Sequence, residues 1–473
     1  MSIFRQRFLI KAVPALLLLV RPAPASAAEA LRDFRGRVLP SVVCRADSSQ
    51  SYAIYVPSRY TPEKKWPVIF CFDPGARGLV PVERLRAAAE QYGYIVAGSL
   101  TSRNGPVAAN FAAMDAMAND VQSHLAADPR RIYAAGLSGG ARVATQMALG
   151  GLAKGVIACS AGFPDPADIP RRVPFAFFGT TGTEDFNYRE MKRLDADLAD
   201  RKAAHCLTVF AGGHEWAPAP LLSAAVEWLE LQAMRAGTRP RDEALVQAAF
   251  QAHAAALPAS PAPERWLALR ALVEDLQGLV DVGAYEREAR ELAGSPAVKA
   301  WQKNELALGR QEDAQRSRLD ELVSGGSFGD RQKFAAGLRQ AAAAAADTPE
   351  RRMARRTIAG FAMGSREALR ALFDQREYGD AAARLELQSV LRPGEARTYY
   401  DLARARAFDG AKARALEALK QAVAAGYRDG ARAETEPAFA KLTGDPAFRE
   451  LVAAMRNSPG GQPEAGLGSG SEK

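Results

Sequence analysis

Residues 132–144 read IYAAGLSGGARVA, with Gly136, Ser138 and Gly140 in the pattern G-x-S-x-G. In a glycine-rich chain this pattern recurs by chance, so its flanks must decide what it means. On the left, an apolar run with Ile132 and Tyr133 predicts a short buried strand. On the right, ARVATQMALGG predicts a helix closed by glycines. A serine on a sharp turn between strand and helix is held in a strained backbone conformation. Bulk two residues to either side would strike the neighbouring strand and helix, so glycine suits both places. Ser138 is a candidate nucleophile.

The surrounding chain predicts the sheet that such a turn needs. From Ser51 to about Arg235, short apolar strands (YAIYVP, WPVIFCF, YIVAGSLTS, IYAAGLS, GVIACSAG, VPFAFFGTTG, CLTVFAGG) alternate with helical patterns. Strands apolar on both faces and separated by helices predict a mostly parallel sheet covered by helices, an α/β fold. Around Gly237-Thr-Arg-Pro-Arg241 the strand signals stop, and the rest reads as helices rich in Ala, Leu and Arg. Within it, FDQREYGDAAARLELQSVLRPG and ARAFDGAKARALEALKQAVAAGY share an aromatic, a small-residue turn and an amphipathic helix. Their offset of about 32 residues is close to the tetratricopeptide period.

The 473 residues exceed one ordinary core. Residues 1–27 combine a basic start, an apolar run from Ala12 to Val20 and the exit Ala25-Ser26-Ala27. That is the layout of a Sec-type signal peptide, and it predicts a periplasmic or secreted protein. Nine apolar residues are too few to span a bilayer, and no later segment looks transmembrane. Removing residues 1–27 takes the net charge from +8 to +4. So mild an excess, with no basic stripe, gives no support to nucleic-acid binding. Export permits disulfides, but Cys44, Cys71, Cys159 and Cys206 are few for a disulfide framework. Cys71 and Cys159 fall in predicted buried strands, and a bridge using Cys44 or Cys206 stays open. His205-Cys206 has no partner pair at ligand spacing, so no metal is expected.

A serine hydroxyl needs a base, and the base needs an orienting partner. Of the four histidines, His124 and His253 fall in helices and His205 precedes a strand. His214, in VFAGGHEWAP, follows the last strand, at the carboxyl end where α/β sheets place their sites. Asp185, a few residues after the strand VPFAFFGTTG, is the candidate acid, with Glu184 its rival and Asp165 or Asp168 weaker ones.

The order Ser138, Asp185, His214 on this strand pattern resembles the α/β-hydrolase superfamily. The closer similarity is to secreted serine esterases of the polyhydroxybutyrate-depolymerase, feruloyl-esterase and dienelactone-hydrolase kind. It is carried by YAIYVPSRY, GLSGGAR, GTTGTED and GGHEW over roughly residues 45–235. The resemblance implies an exported carboxylic-ester hydrolase with no cofactor, followed by a tetratricopeptide-like region that offers a surface for a protein partner. The expected organisation is a signal peptide (1–27), an α/β-hydrolase domain (28–236), a helical linker region (237–345), a tetratricopeptide-like domain (346–457) and a disordered tail (458–473).

One departure stands out. Such esterases usually carry His-Gly where this chain reads Phe72-Asp73-Pro74-Gly75-Ala76-Arg77. Pro74 has no N–H, so the oxyanion hole is expected from Gly139 with Gly75 or Ala76. Asp73 would oppose the developing charge unless Arg77 or Arg142 neutralises it. Trp216, Asn104 and Tyr188 are expected at the pocket. The departure also motivates an alternative of another class: a catalytically inactive exported protein that binds a partner through its helices.

Overall fold

The computed structural model describes residues 34–259 and 262–457. The signal-peptide reading of residues 1–27 and the tail at 458–473 fall outside them. Eight strands form one sheet: β1 (Val38–Val43), β2 (Ser51–Tyr55), β3 (Trp66–Phe72), β4 (Ile95–Ser99), β5 (Ala127–Leu137), β6 (Gly155–Cys159), β7 (Ala176–Gly182) and β8 (His205–Phe210). Their spatial order is β1-β2-β4-β3-β5-β6-β7-β8. Strands β4, β3, β5, β6, β7 and β8 are mutually parallel, and only the β1–β2 and β2–β4 pairings are antiparallel.

Alternation along each strand divides the core between two faces. From β3, Val68, Phe70 and Phe72 point to one face and Ile69 and Cys71 to the other. Helices α1 (Leu79–Tyr92), α2 (Val107–His124), α3 (Gly139–Leu149), α4 (Tyr188–Asp200) and α5 (Ala219–Arg235) cover them. Met114, Met147 and Leu194 of α2, α3 and α4 close the first face; Leu85 and Leu229 of α1 and α5 close the second. Because both faces are covered, all residues of β3, β4, β6 and β7 are buried, which is why these strands read as continuous apolar runs.

The expected sheet lacks β1. Its sequence, VLPSVV, carries Pro40 and leaves half its side chains in contact with water. The register slips between Leu39 and Val42, around that proline, which only an edge strand tolerates. All four cysteines are free thiols, so the bridge left open for Cys44 or Cys206 is not formed.

Beyond α5 the described residues contain no further strand, and the α-helices continue. They are α6 (Glu243–Ala255), α7 (Ala262–Leu276), α8 (Gly283–Ala293), α9 (Pro296–Gly325), α10 (Phe328–Ala342), α11 (Pro349–Asp374), α12 (Tyr378–Leu391), α13 (Ala396–Phe408), α14 (Lys412–Ala424), α15 (Gly430–Thr435) and α16 (Pro446–Asn457). The array grows from the end of α5, where Leu231 and Met234 pack with Val246, Leu272 and Leu276. Trp228 Nε1 donates to the buried Asp275 at 2.6 Å across the same seam. From there the helices return over the sheet: Arg193 of α4 pairs with Asp313 of α9 at 2.6 Å. Among the described residues no helix is long and apolar enough to cross a membrane.

Candidate active site

Strand β5 ends at Leu137 and α3 begins at Gly139, so Ser138 is the whole turn. Its φ of 53° and ψ of −122° lie where an L residue is strained. The turn is held by the Ser138 N–H, which donates to the Cys159 carbonyl on β6 at 2.8 Å. The two flanking glycines are dictated by backbone. A Cβ on Gly136 would lie 2.2 Å from the Gly140 carbonyl carbon, and one on Gly140 would lie 2.0 Å from the Phe72 carbonyl oxygen. A mostly parallel sheet, a strained serine between strand and helix, and the chain order serine, acid, histidine are now in place. The chain has the α/β-hydrolase fold.

Comparisons with known proteins found only distant likenesses among solved structures. No protein-family model matches the chain, and no curated protein matches it. Among solved structures, a ferulic acid esterase is similar at 16% identity, over 41% of this chain and 98% of its own, with a TM-score of 0.33. The S-formylglutathione hydrolase of Staphylococcus aureus is similar at 12% identity, over 38% and 90%, with a TM-score of 0.32. Esterase 2 of Thermogutta terrifontis, phosphorylated by paraoxon, is similar at 16% identity, over 43% and 95%, with a TM-score of 0.33.

The hydrolase sheet brings the acid and the imidazole together. Asp185, three residues beyond β7, is fully buried, and its Oδ1 lies 2.8 Å from His214 Nδ1. The carboxylate also accepts the Asn187 N–H at 2.8 Å and the Thr181 hydroxyl at 3.2 Å. These bonds fix its orientation before any substrate arrives. The Phe186 ring stacks on His214 at 3.9 Å, covering one face of the imidazole. The rival acids lie elsewhere: Glu184 pairs with Arg355 at 2.8 Å, Asp165 caps a short helical turn through the Ala167 N–H, and Asp168 is exposed. The other histidines also have their own settings. His124 meets the Asp120 carbonyl, His205 the Ala203 carbonyl, and His253 lies 3.4 Å from Asp275.

His214 follows β8, three strands from β5. What turns it inward is the course of its loop. Trp216, two residues on, is buried and donates its indole N–H to Asp73 Oδ2 at 2.8 Å. Asp73 directly follows β3, which is β5's neighbour on the side away from β8. Arg84 of α1 holds the same loop by donating to the Trp216 and Ala217 carbonyls, each at 3.0 Å. The connection therefore runs from the end of β8, past Gly182 at the end of β7, to the Asp73 side chain beside β3, with His214 between those points.

Asp73, the departure at the oxyanion position, is thus an anchor. Burial alone would raise its pKa, but Arg77, the Trp216 indole and the Gly75 N–H outweigh burial and hold the carboxyl below its ordinary range. Arg77 reaches it at 2.9 and 3.1 Å. Arg142 does not: it bonds Glu190 and the Phe163 carbonyl instead. The Gly75 N–H donates to Asp73 Oδ1 at 2.8 Å and the Ala76 N–H to the Asp73 carbonyl at 3.1 Å. Neither expected donor is idle in this conformation, and Ala76 is itself strained at φ 59°.

The remaining expected residues divide. Asn104 stands beside the nucleophile: its N–H is tied to the Pro74 carbonyl at 2.9 Å, and a Cβ on Gly139 would fall 1.9 Å from its Oδ1. Trp216 serves as the loop's buried tie. Tyr188 lies under the Arg356 guanidinium at 4.4 Å, in a small cleft lined also by Arg189, Glu312 and Arg352 at the helical array. Among the described residues no group of three His, Cys, Asp or Glu side chains is arranged to hold a metal ion. What sequence reasoning missed is the contribution of α9 and α11, whose arginines reach the acid loop from more than a hundred residues away.

Proposed function

We propose that this chain is an exported serine hydrolase that cleaves carboxylic esters through an acyl-enzyme on Ser138. The observation that carries the reading is the loop after β8, which holds His214 against the buried Asp185 and is tied by the Trp216–Asp73 bond to the residue after β3, on the far side of β5. With Nδ1 committed to Asp185, Nε2 is the nitrogen left for the serine. It takes the Ser138 proton as Oγ attacks the ester carbonyl, and Asp185 stabilises the imidazolium. The proton then goes to the departing alcohol. Water repeats the sequence on the acyl-enzyme, releasing the acid and restoring the serine.

The oxyanion falls to the Gly139 N–H at the start of α3 and, in this reading, to the Asn104 amide that lies against Gly139. A half-turn of that amide aims its NH2 at the site, and no N–H has to leave Asp73. Residues 1–27 support export, and the ester-cleaving neighbours among solved structures are consistent with the substrate class. The helical array supports a tetratricopeptide-like reading in one place: α12 and α14 begin 34 residues apart, at Tyr378 and Lys412.

A fluorophosphonate probe tests the nucleophile, and a panel of chromogenic esters of graded chain length, with a peptide amide beside them, tests the class. Labelling that vanishes in Ser138→Ala, with turnover of esters and not of the amide, is expected. A folded protein that neither labels nor turns over any ester would sink the proposal and favour the partner-binding alternative.

A further inference from the structure

The residues on either side of Asp185 are held from outside the sheet. Arg356 of α11 donates through Nη1 to the Thr183 carbonyl at 2.7 Å, two residues before the acid. Arg316 of α9 donates through Nη2 to the Phe186 carbonyl at 2.8 Å, one residue after it. Arg355 takes the side chain between them, Glu184, at 2.8 Å.

The two guanidiniums are themselves locked by one carboxylate. Glu312 of α9 is fully buried; its Oε2 lies 2.6 Å from Arg356 Nη2 and its Oε1 2.8 Å from Arg316 Nη2. Gly360 of α11 stands behind Phe186, where a Cβ would meet the Phe186 Cβ at 3.4 Å. Phe186 in turn stacks on His214.

A buried ion cluster is an expensive way to gain stability, since well-packed apolar residues often do as well. This one has a geometric product. Its spare donors end on two main-chain carbonyls of a single short loop, and that loop carries both the carboxylate and the ring stacked on the imidazole.

We propose that Arg356 and Arg316 are positioning residues for the Asp185–His214 pair, so that the helical array completes the active site of the hydrolase sheet. The inference rests on the reading that these residues serve Ser138. A loop free to shift by an ångström would leave the acid misaligned, a displacement that typically costs about 100-fold in rate.

The test uses the full chain. Arg356→Gln and Arg316→Gln each remove one carbonyl donor, and Arg316→Gln leaves the Glu312–Arg356 pair in place should the first variant fold poorly. Arg193→Ala breaks the exposed pair with Asp313, which joins the same two parts of the chain without touching the loop. Turnover of p-nitrophenyl acetate gives kcat and KM, and far-UV circular dichroism checks the fold. The downfield proton resonance of the His214 Nδ1–H, identified by its absence in His214→Gln, reports the bond to Asp185 without requiring turnover.

A 10- to 100-fold fall in kcat at nearly constant KM is expected for both glutamine variants, with the downfield resonance broadened or lost and Arg193→Ala unchanged. Folded Arg316→Gln or Arg356→Gln protein with wild-type kcat and an intact resonance would overturn the proposal. So would equal losses in Arg193→Ala, because interface stability would then account for everything. If the wild-type protein turns over no ester, the functional reading fails by itself, and the resonance still decides the positioning role.

Discussion

Trp216 Nε1 donates to Asp73 Oδ2 at 2.8 Å, joining the loop after β8 to the end of β3 across four strand spacings. At about 4.8 Å per strand, the loop and the two side chains together bridge about 19 Å of sheet edge. Without the tie, nothing in β8 itself would draw the loop that carries His214 toward β3.

Trp216→Phe keeps an aromatic ring, with some loss of bulk, and removes the indole donor. A hydrogen bond to a charged group contributes about 1.5–3 kcal/mol, so a loss of that order is expected in urea denaturation. Turnover should fall by about 10-fold, mostly in kcat, because the histidine loop loosens while the pocket walls remain. Unchanged kcat in a destabilised variant would show that the loop holds its course by other contacts.

Asp73 also sets a pH signature. Its partners keep its folded pKa below the ordinary 3.8, against the opposing effect of burial. A depressed carboxylate contributes stability that is full above its unfolded pKa and is lost as pH falls through the folded one. The stability gap between wild type and Asp73→Asn should therefore be flat above about pH 5 and shrink below about pH 4. Denaturation midpoints of the two proteins across that range check the sign; a gap that widened in acid would contradict it.

The two neighbouring acids should separate sharply. Asp185→Asn removes the carboxylate that orients His214 and is expected to lower kcat by about 10⁴-fold, as loss of that role does in serine proteases. Glu184→Gln touches only the pair with Arg355, and its effect should stay within about 10-fold. Comparable losses in both would mean that the 2.8 Å contact at His214 does not identify the working acid.

Ser138 is strained at φ 53°, and strain of this kind costs about 1–3 kcal/mol. Ser138→Gly should be more stable than Ser138→Ala by about 1 kcal/mol, with no turnover expected of either. Thermal melts of the two variants make the comparison with the hydroxyl removed from each. Equal melting temperatures would argue that the turn relaxes in solution.

Asn104→Ala tests the proposal that its amide is the second oxyanion donor. Losing one such donor costs about 100- to 1,000-fold in kcat. A fall of that size with KM nearly unchanged is expected, whereas an effect confined to KM would make Asn104 a pocket wall only.

Much of this was legible in the chain. The buried strands were readable as apolar runs because both sheet faces are covered, and the turn at Ser138 was readable because only glycine fits at 136 and 140. The edge strand β1 was not, since its proline and half-wet surface blur the alternation that marks strands. Asp73 looked like an obstacle in one dimension because its partner Trp216 lies 143 residues away. Arg77 was foreseeable as its neutralising partner four residues on; that Arg142 turns to Glu190 was not.

Local sequence alone determined the strands other than β1 and the three candidate side chains, because strand, turn and helix preferences act over a few residues. Tertiary structure decided which carboxylate meets His214, what the Asp73 departure is for, and that α9 and α11 bracket the acid loop. Those outcomes depend on contacts between residues far apart in the chain, whose partners no local pattern encodes.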